Sequence, residues 1–213
     1  MHKENERRRN PVAWQQFLLC FALWMVVPGA LAAQESYGEL ASGSTELIGQ
    51  MAPPWSLRGW VNSKPLDIGQ LQGKVVLLRF FSDNPAGAAS LKELDRTYRD
   101  KGLLVIGLYA PQPTPTQTPV EQVQRLASAL GFTFPVGIDS GWETLNRYWL
   151  NRADAEMTAV TFLIDRKGII RYVQPDGQYE KNSSNRALRK EFEKLEKQIH
   201  NLLKEEGTTG QAN

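Results

Sequence analysis

Residues 75–81, 103–108 and 160–164 are almost wholly apolar, and between them apolar positions recur with other periods. Runs of that length, rich in β-branched and aromatic residues, read as strands covered on both faces. Between the first two, Leu91, Leu94 and Tyr98 fall three and four residues apart, which predicts a helix with that face on the sheet. It starts either at Asn84 as cap with Pro85 in the first turn, or at the capping box Ser90-Leu91-Lys92-Glu93, and ends near Lys101-Gly102. A strand, a helix and a second strand in that order make a parallel pair.

The pattern continues on both sides of this unit. A short strand is expected over 55–60 before it. After it, a proline-rich loop over 111–119 leads to a helix capped by Thr118 and running to about Leu130. A short strand over 132–138 and a helix opened by 140–143 toward Leu150 follow. Residues 160–164 and 169–173 flank Asp165-Arg166-Lys167-Gly168, which predicts a hairpin and hence an antiparallel pair beside the parallel ones. A last helix over 185–205 carries Leu188, Phe192, Leu195, Ile199 and Leu202 at spacings of four and three and is expected to pack on the sheet.

The first 32 residues have a different pattern. Arg7, Arg8 and Arg9 precede an apolar run over 17–27, Pro28 breaks it, and Ala30-Leu31-Ala32 offers small residues for a peptidase. Such a run falls well short of the roughly 20 residues that span a bilayer, so residues 1–32 read as a signal peptide for export to a periplasmic or other extracytoplasmic space. Only failed cleavage would leave the protein tethered to a membrane. Residues 33–47, rich in Ser, Gly and Glu, read as a flexible linker, 48–205 as the domain, and 206–213 as a disordered tail.

This division changes the charge and the chemistry. Removing 1–32 takes Lys3, Arg7, Arg8 and Arg9 from the 25 basic residues and Glu4 and Glu6 from the 23 acidic ones, leaving 21 of each. A neutral chain without a basic stripe argues against a nucleic-acid partner. The chain's one cysteine, Cys20, lies in the apolar run, so the domain has no thiol. Of two histidines only His200 lies in the domain, where it reads as a partly buried helical residue. That leaves no metal set, no nucleophile-histidine arrangement and no cofactor motif. The acids expected near strand ends are Asp83, Asp139, Glu143 and Asp165; Asp83 and Asp139 read as caps or turn formers, Asp165 is explained by its turn, and no pair has a spacing that demands catalysis.

Four segments resemble one family in order. Gly49-Gln50-Met51-Ala52-Pro53 is similar to the opening motif of redoxins, and Gly73-Lys74-Val75-Val76-Leu77-Leu78-Arg79-Phe80-Phe81 to the strand leading into the active site of TlpA-like thiol-disulfide oxidoreductases. Asp100-Lys101-Gly102-Leu103-Leu104-Val105-Ile106-Gly107 resembles that family's next strand, and Thr161-Phe162-Leu163-Ile164-Asp165-Arg166-Lys167-Gly168 its hairpin. The resemblance, to the redoxin (AhpC/TSA-related) branch of the thioredoxin superfamily, implies a thioredoxin-like α/β three-layer sandwich with a central mixed β-sheet flanked by helices.

It also implies a Cys-x-x-Cys pair opening the first helix, where the helix N-terminus stabilises a thiolate. Counted forward from Phe81, those cysteines align with Pro85 and Ala88; counted back from Gly102, the segment is about one helical turn short. The family's cis-proline aligns with Ala159, where a trans bond is expected. The resemblance without the thiols implies a degenerate site that binds a protein or peptide in a groove lined by Phe81, Asn84, Pro85, Ala86, Gly87, Ala88, Trp142, Trp149 and Ala159, with no catalytic residue. The other reading is periplasmic thiol redox or antioxidant metabolism in which a partner brings the cysteines.

Overall fold

The computed structural model describes residues 44–152, 155 and 159–205. The signal peptide, residues 33–43 of the linker expected over 33–47, the Thr158–Ala159 peptide bond and the tail over 206–213 lie outside the described residues, whereas 44–47 form a helical turn whose Leu47 packs on the core.

Six strands form one sheet: β1 (Trp60–Val61), β2 (Val75–Phe81), β3 (Leu103–Tyr109), β4 (Val136–Ile138), β5 (Thr161–Ile164) and β6 (Ile170–Gln174). Their order is β1-β4-β3-β2-β5-β6. β2 pairs parallel with β3 and antiparallel with β5, and β3 pairs parallel with β4. β1 and β6 are antiparallel to their neighbours, so the sheet is mixed. The helices are α1 (Ala88–Tyr98), α2 (Val120–Leu130), α3 (Glu143–Leu145, continued by a π turn Asn146–Leu150) and α4 (Arg186–Lys204).

Every residue of β2 is buried, as its unbroken apolar run requires. Alternate side chains enter two cores. Val75, Leu77 and Phe81 pack with Leu91, Leu94 and Tyr98 of α1 and Phe192, Leu195 and Ile199 of α4 on one face. Val76, Leu78 and Phe80 pack with Ile68, Leu145, Tyr148 and Trp149 on the other. The result is the expected three-layer α/β sandwich.

Local chemistry sets the element ends. Gly102, at φ +100, closes the turn after α1. Asp165 accepts from the N–H groups of Lys167 and Ile169 at 2.9 and 3.0 Å and shapes the β5–β6 turn. Asn185 accepts from the Ala187 N–H at 2.8 Å and caps α4.

Several boundaries differ from expectation. The first strand is the pair Trp60–Val61, not 55–60, because the Trp55 indole donates to the Leu66 carbonyl and directs the chain into a loop. α1 begins at Ala88, between the two expected starts, with Gly87 in the left-handed region as its cap. Thr118 donates its hydroxyl to the Thr116 carbonyl rather than capping α2. The strand over 132–138 shortens to Val136–Ile138, since Phe132 and Phe134 turn into the aromatic core beneath Phe81. The helix toward Leu150 starts at Glu143, with Trp142 as its flanking residue, and the Asp139 carboxylate accepts from the N–H groups of Thr144 and Leu145 in its first turn at 3.2 and 2.7 Å. His200 is exposed, not partly buried, on the face of α4 opposite Ile199 and Leu202.

Candidate functional site at the end of strand β2

At its last residue β2 leaves the sheet, and residues 82–87 turn into α1. Asp83 is exposed and accepts from the Tyr109 hydroxyl at 2.8 Å, tying the turn to the end of β3. Burial first, then the bonded carboxylate, pushes the Tyr109 phenol well above the usual tyrosine range. Gly87 sits at φ +73, and a Cβ there would lie 2.7 Å from the Tyr179 carbonyl oxygen. The Gly87 carbonyl accepts the first bond of α1, from the Leu91 N–H at 2.9 Å. No side chain caps this helix and its first turn holds no acid.

Beneath the turn lies a charge. Arg79 belongs to the face of β2 that carries Val75, Leu77 and Phe81, and it is 2% exposed. Its guanidinium donates to Thr161 Oγ1 at 3.0 Å and to the Ala86 carbonyl at 3.2 Å, and stands 5.4 Å from the centre of the Tyr179 ring. Burial lowers its pKa, with Tyr179 and Asp176 opposing, and a guanidinium remains charged. Among the described residues no carboxylate lies within ion-pair distance of it.

Of the residues expected to line a groove, 84–88 come together at the start of α1. Asn84 and Ala86 are exposed, Pro85 and Ala88 half-buried, and Gly87 buried against 177–179. Two others do not line a surface. Phe81 is 2% exposed, stacked edge-on against Tyr109 and Phe132, and Trp149 is fully buried against Phe162. Trp142 precedes the helix at φ +60 and Trp149 lies in its π turn, and both pack on the core around Phe162. Trp142 is half-buried and donates its indole N–H to the Pro111 carbonyl at 2.8 Å. Ala159 is half-buried beside Val160, whose carbonyl accepts from the Phe80 N–H at 2.9 Å.

The four acids are held in structural bonds. Asp83 accepts from Tyr109, Asp139 from the first turn of α3, Asp165 shapes its turn, and Glu143 accepts from Arg58 at 2.9 Å. Asp83 is thus tied to a strand end rather than capping α1. Burial raises the Asp139 pKa, while the N–H groups of Leu145 and Thr144 oppose the shift. No group of three or more possible metal-ligating side chains occurs among the described residues. Two open clefts, of about 410 and 190 Å³, lie elsewhere: one along Lys92 and Arg96 of α1 and Arg99 just after it, the other between Met51, Ile68 and Gly168.

Arg79, Tyr109, Gly177 and Tyr179 were not among the expected site residues. Arg79 carried a signal, a lone charge in a seven-residue strand otherwise wholly apolar. Tyr179 and Gly177 lie in an irregular segment whose sequence has no period.

The AhpC/TSA family model matches residues 48–173, from the segment paired with β6 through the hairpin. The chain belongs to the AhpC/TSA family. It is 30% identical over 129 residues to the protein DipZ of Mycobacterium bovis, and equally to that of Mycobacterium tuberculosis, a match covering 55% of this chain. The chain spans 17% of the length of those relatives. A thiol-disulfide isomerase from Corynebacterium glutamicum superposes with a TM-score of 0.54 at 25% identity, covering 72% of this chain and 97% of that one. A conserved protein from Geobacillus kaustophilus superposes with a TM-score of 0.58 at 19% identity, over 73% of this chain and 82% of the other, and shows the fold alone. The fold is thioredoxin-like, and the family is one of thiol-disulfide oxidoreductases. Within it, this chain carries Pro85 and Ala88 at the start of α1 and no cysteine between residues 21 and 213.

Proposed function

We propose that this is an exported, noncatalytic member of its family, whose 82–88 face binds a protein or peptide partner. The observation that carries the reading is the turn from β2 into α1. A thiolate nucleophile is required for disulfide exchange, and Ser82-Asp83-Asn84-Pro85-Ala86-Gly87-Ala88 supplies none. The turn is nonetheless held from two sides, through Asp83 to Tyr109 and through Ala86 to Arg79. A surface fixed in this way loses less conformational entropy when a partner is bound. Export is supported by Arg7-Arg8-Arg9 followed by a short apolar run and small residues.

The test is an insulin-reduction or hydroperoxide-consumption assay on the purified chain, in which turnover above buffer overturns the noncatalytic reading. Crosslinking in the protein's own cells then maps the partner. Crosslinks at 82–88 and Trp142 support the face, and crosslinks confined to α4 move the interface there. A captured partner that uses its own Cys pair would favour a role in thiol redox metabolism in which the partner supplies the sulfur, as the Corynebacterium likeness at 25% identity encourages. Recovery of the chain in the cytoplasmic fraction would overturn export.

A further inference from the structure

We propose that Arg79 is the positioning residue of this face: it welds the 82–88 turn to the segment 175–181, so that the face is built from both segments as one rigid unit. The proposal rests on the binding reading for its purpose but not for its geometry.

The position of Arg79 is that of a core residue, in the row of Val75, Leu77 and Phe81, where an apolar side chain of similar volume avoids the desolvation of a charge. Its contacts reach three separate parts of the chain. One reaches Thr161 on β5, one reaches the Ala86 carbonyl in the turn, and the guanidinium faces the Tyr179 ring in the segment after β6. The fit to that segment is close. A Cβ on Gly177 would lie 1.6 Å from an Arg79 nitrogen, so the backbone of Gly177, at φ +62, rests on the guanidinium itself. Gly87 meets the Tyr179 carbonyl in the same way. The two segments therefore meet backbone to backbone, and the Lys181 N–H donates to Ser90 Oγ at 3.0 Å across the same seam.

A buried cation with no described carboxylate within ion-pair distance is a poor source of stability and a strong source of geometry, because few arrangements of the Ala86 carbonyl, the Thr161 hydroxyl and the Tyr179 ring satisfy it together. Met at this position would leave no buried charge behind, and Thr161 Oγ1 keeps Tyr179 as a hydrogen-bond partner at 3.4 Å. Stability and rigidity of the seam are thus separable.

The experiment is amide hydrogen exchange on the purified chain, comparing wild type with Arg79→Met and, as a second variant, Gly177→Ala, whose methyl group drives the guanidinium out while leaving residue 79 intact. The Leu91 and Lys181 amides, bonded to Gly87 and Ser90, report the seam; those of Val105 and Leu163 report the sheet. In Arg79→Met the two seam amides exchange about tenfold faster or more, as loss of a charge-assisted bond implies, while the sheet amides and the unfolding midpoint hold. Gly177→Ala gives the same pattern at Leu91, although it lies far away in sequence. Unchanged exchange at Leu91 in both variants overturns the proposal, as does a rise spread evenly over sheet and seam, which would make Arg79 a general stabiliser. These outcomes stand whether or not the face proves to bind a partner, since the crosslinking experiment decides that separately.

Discussion

The two ends of β2 lie on the same strand, in the same ladders with β3 and β5, and are equally buried. At the first end, Val75 to Leu78 present only hydrocarbon to the helices on either side. At the second, Arg79 brings a charge, Phe81 packs into an aromatic cluster, and the chain leaves through a turn held by polar bonds. The first end is fixed by area and register, which many sequences supply. The second depends on particular atoms meeting, so its properties change with single residues. This division explains how a domain can keep the fold of a thiol-disulfide oxidoreductase family without a thiol: nothing in the apolar half depends on chemistry at the other.

The largest test of the difference is at the apolar end. Leu77 is fully buried between β3 and β5. Leu77→Ala should cost about 3 kcal/mol, the removed methyl groups plus the cavity they leave. Urea denaturation measures it, and a cost below about 1 kcal/mol would mean that this end is less tightly packed than its burial implies. The seam amides of the other end should hold their ratio to the sheet amides.

Asp139, at the end of β4, tests the polar half. Removing its carboxylate in Asp139→Ala strips two N–H groups of their acceptor and should cost about 1–2 kcal/mol. Asp139→Asn retains an acceptor oxygen and should recover part of the loss in the same denaturation experiment. Equal costs for the two variants would show that the hydrogen bonds matter less than the space the side chain fills.

How far the sequence revealed each half follows from the same physics. Period and burial are summed over many residues, so β2, β3, the hairpin, α4 and the three-layer order were legible. The strand over 55–60 failed because a single indole bond from Trp55 to Leu66 bent the chain. The start of α1 was missed because Gly87 could only be recognised as a cap once the Tyr179 carbonyl lay against it. Trp149 stayed eligible for a groove because an aromatic on the helix toward Leu150 can flank the turn, although its spacing from Trp142 already favoured the core. It is fully buried against Phe162. In the site, the absence of cysteine was plain from composition, whereas the presence of Arg79 mattered only with its three partners in place.

Tyr109→Phe is a finer probe of the turn. It removes one hydrogen bond to exposed Asp83 and should cost about 1 kcal/mol or less. Because the folded-state phenol is held above its ordinary pKa, the folded protein keeps a proton that the unfolded chain releases at alkaline pH. Stability therefore falls as pH rises past the ordinary tyrosine range, and the variant should fall less steeply in a thermal-unfolding series. An identical slope would assign that loss to Tyr98 and Tyr148, whose phenols burial also raises.

The smallest expected effect lies on the acid side and again separates the two ends. The Asp139 carboxyl titrates above its unfolded value of 3.8 because burial outweighs its N–H donors. Between that value and its raised folded value the native state holds the extra proton, so this group makes stability fall as pH rises through the window and leaves it level above. Carboxylates stabilised by folding act in the opposite direction, so the contribution is isolated by difference. Subtracting the pH profile of Asp139→Asn from that of wild type should leave a component that declines with rising pH across the window. The same subtraction for Leu77→Ala should leave a constant offset, since hydrocarbon has no proton to exchange. A rising component for Asp139 would mean that its two N–H donors, rather than its burial, control the carboxyl, and that the polar end of the sheet is stabilised by its charge.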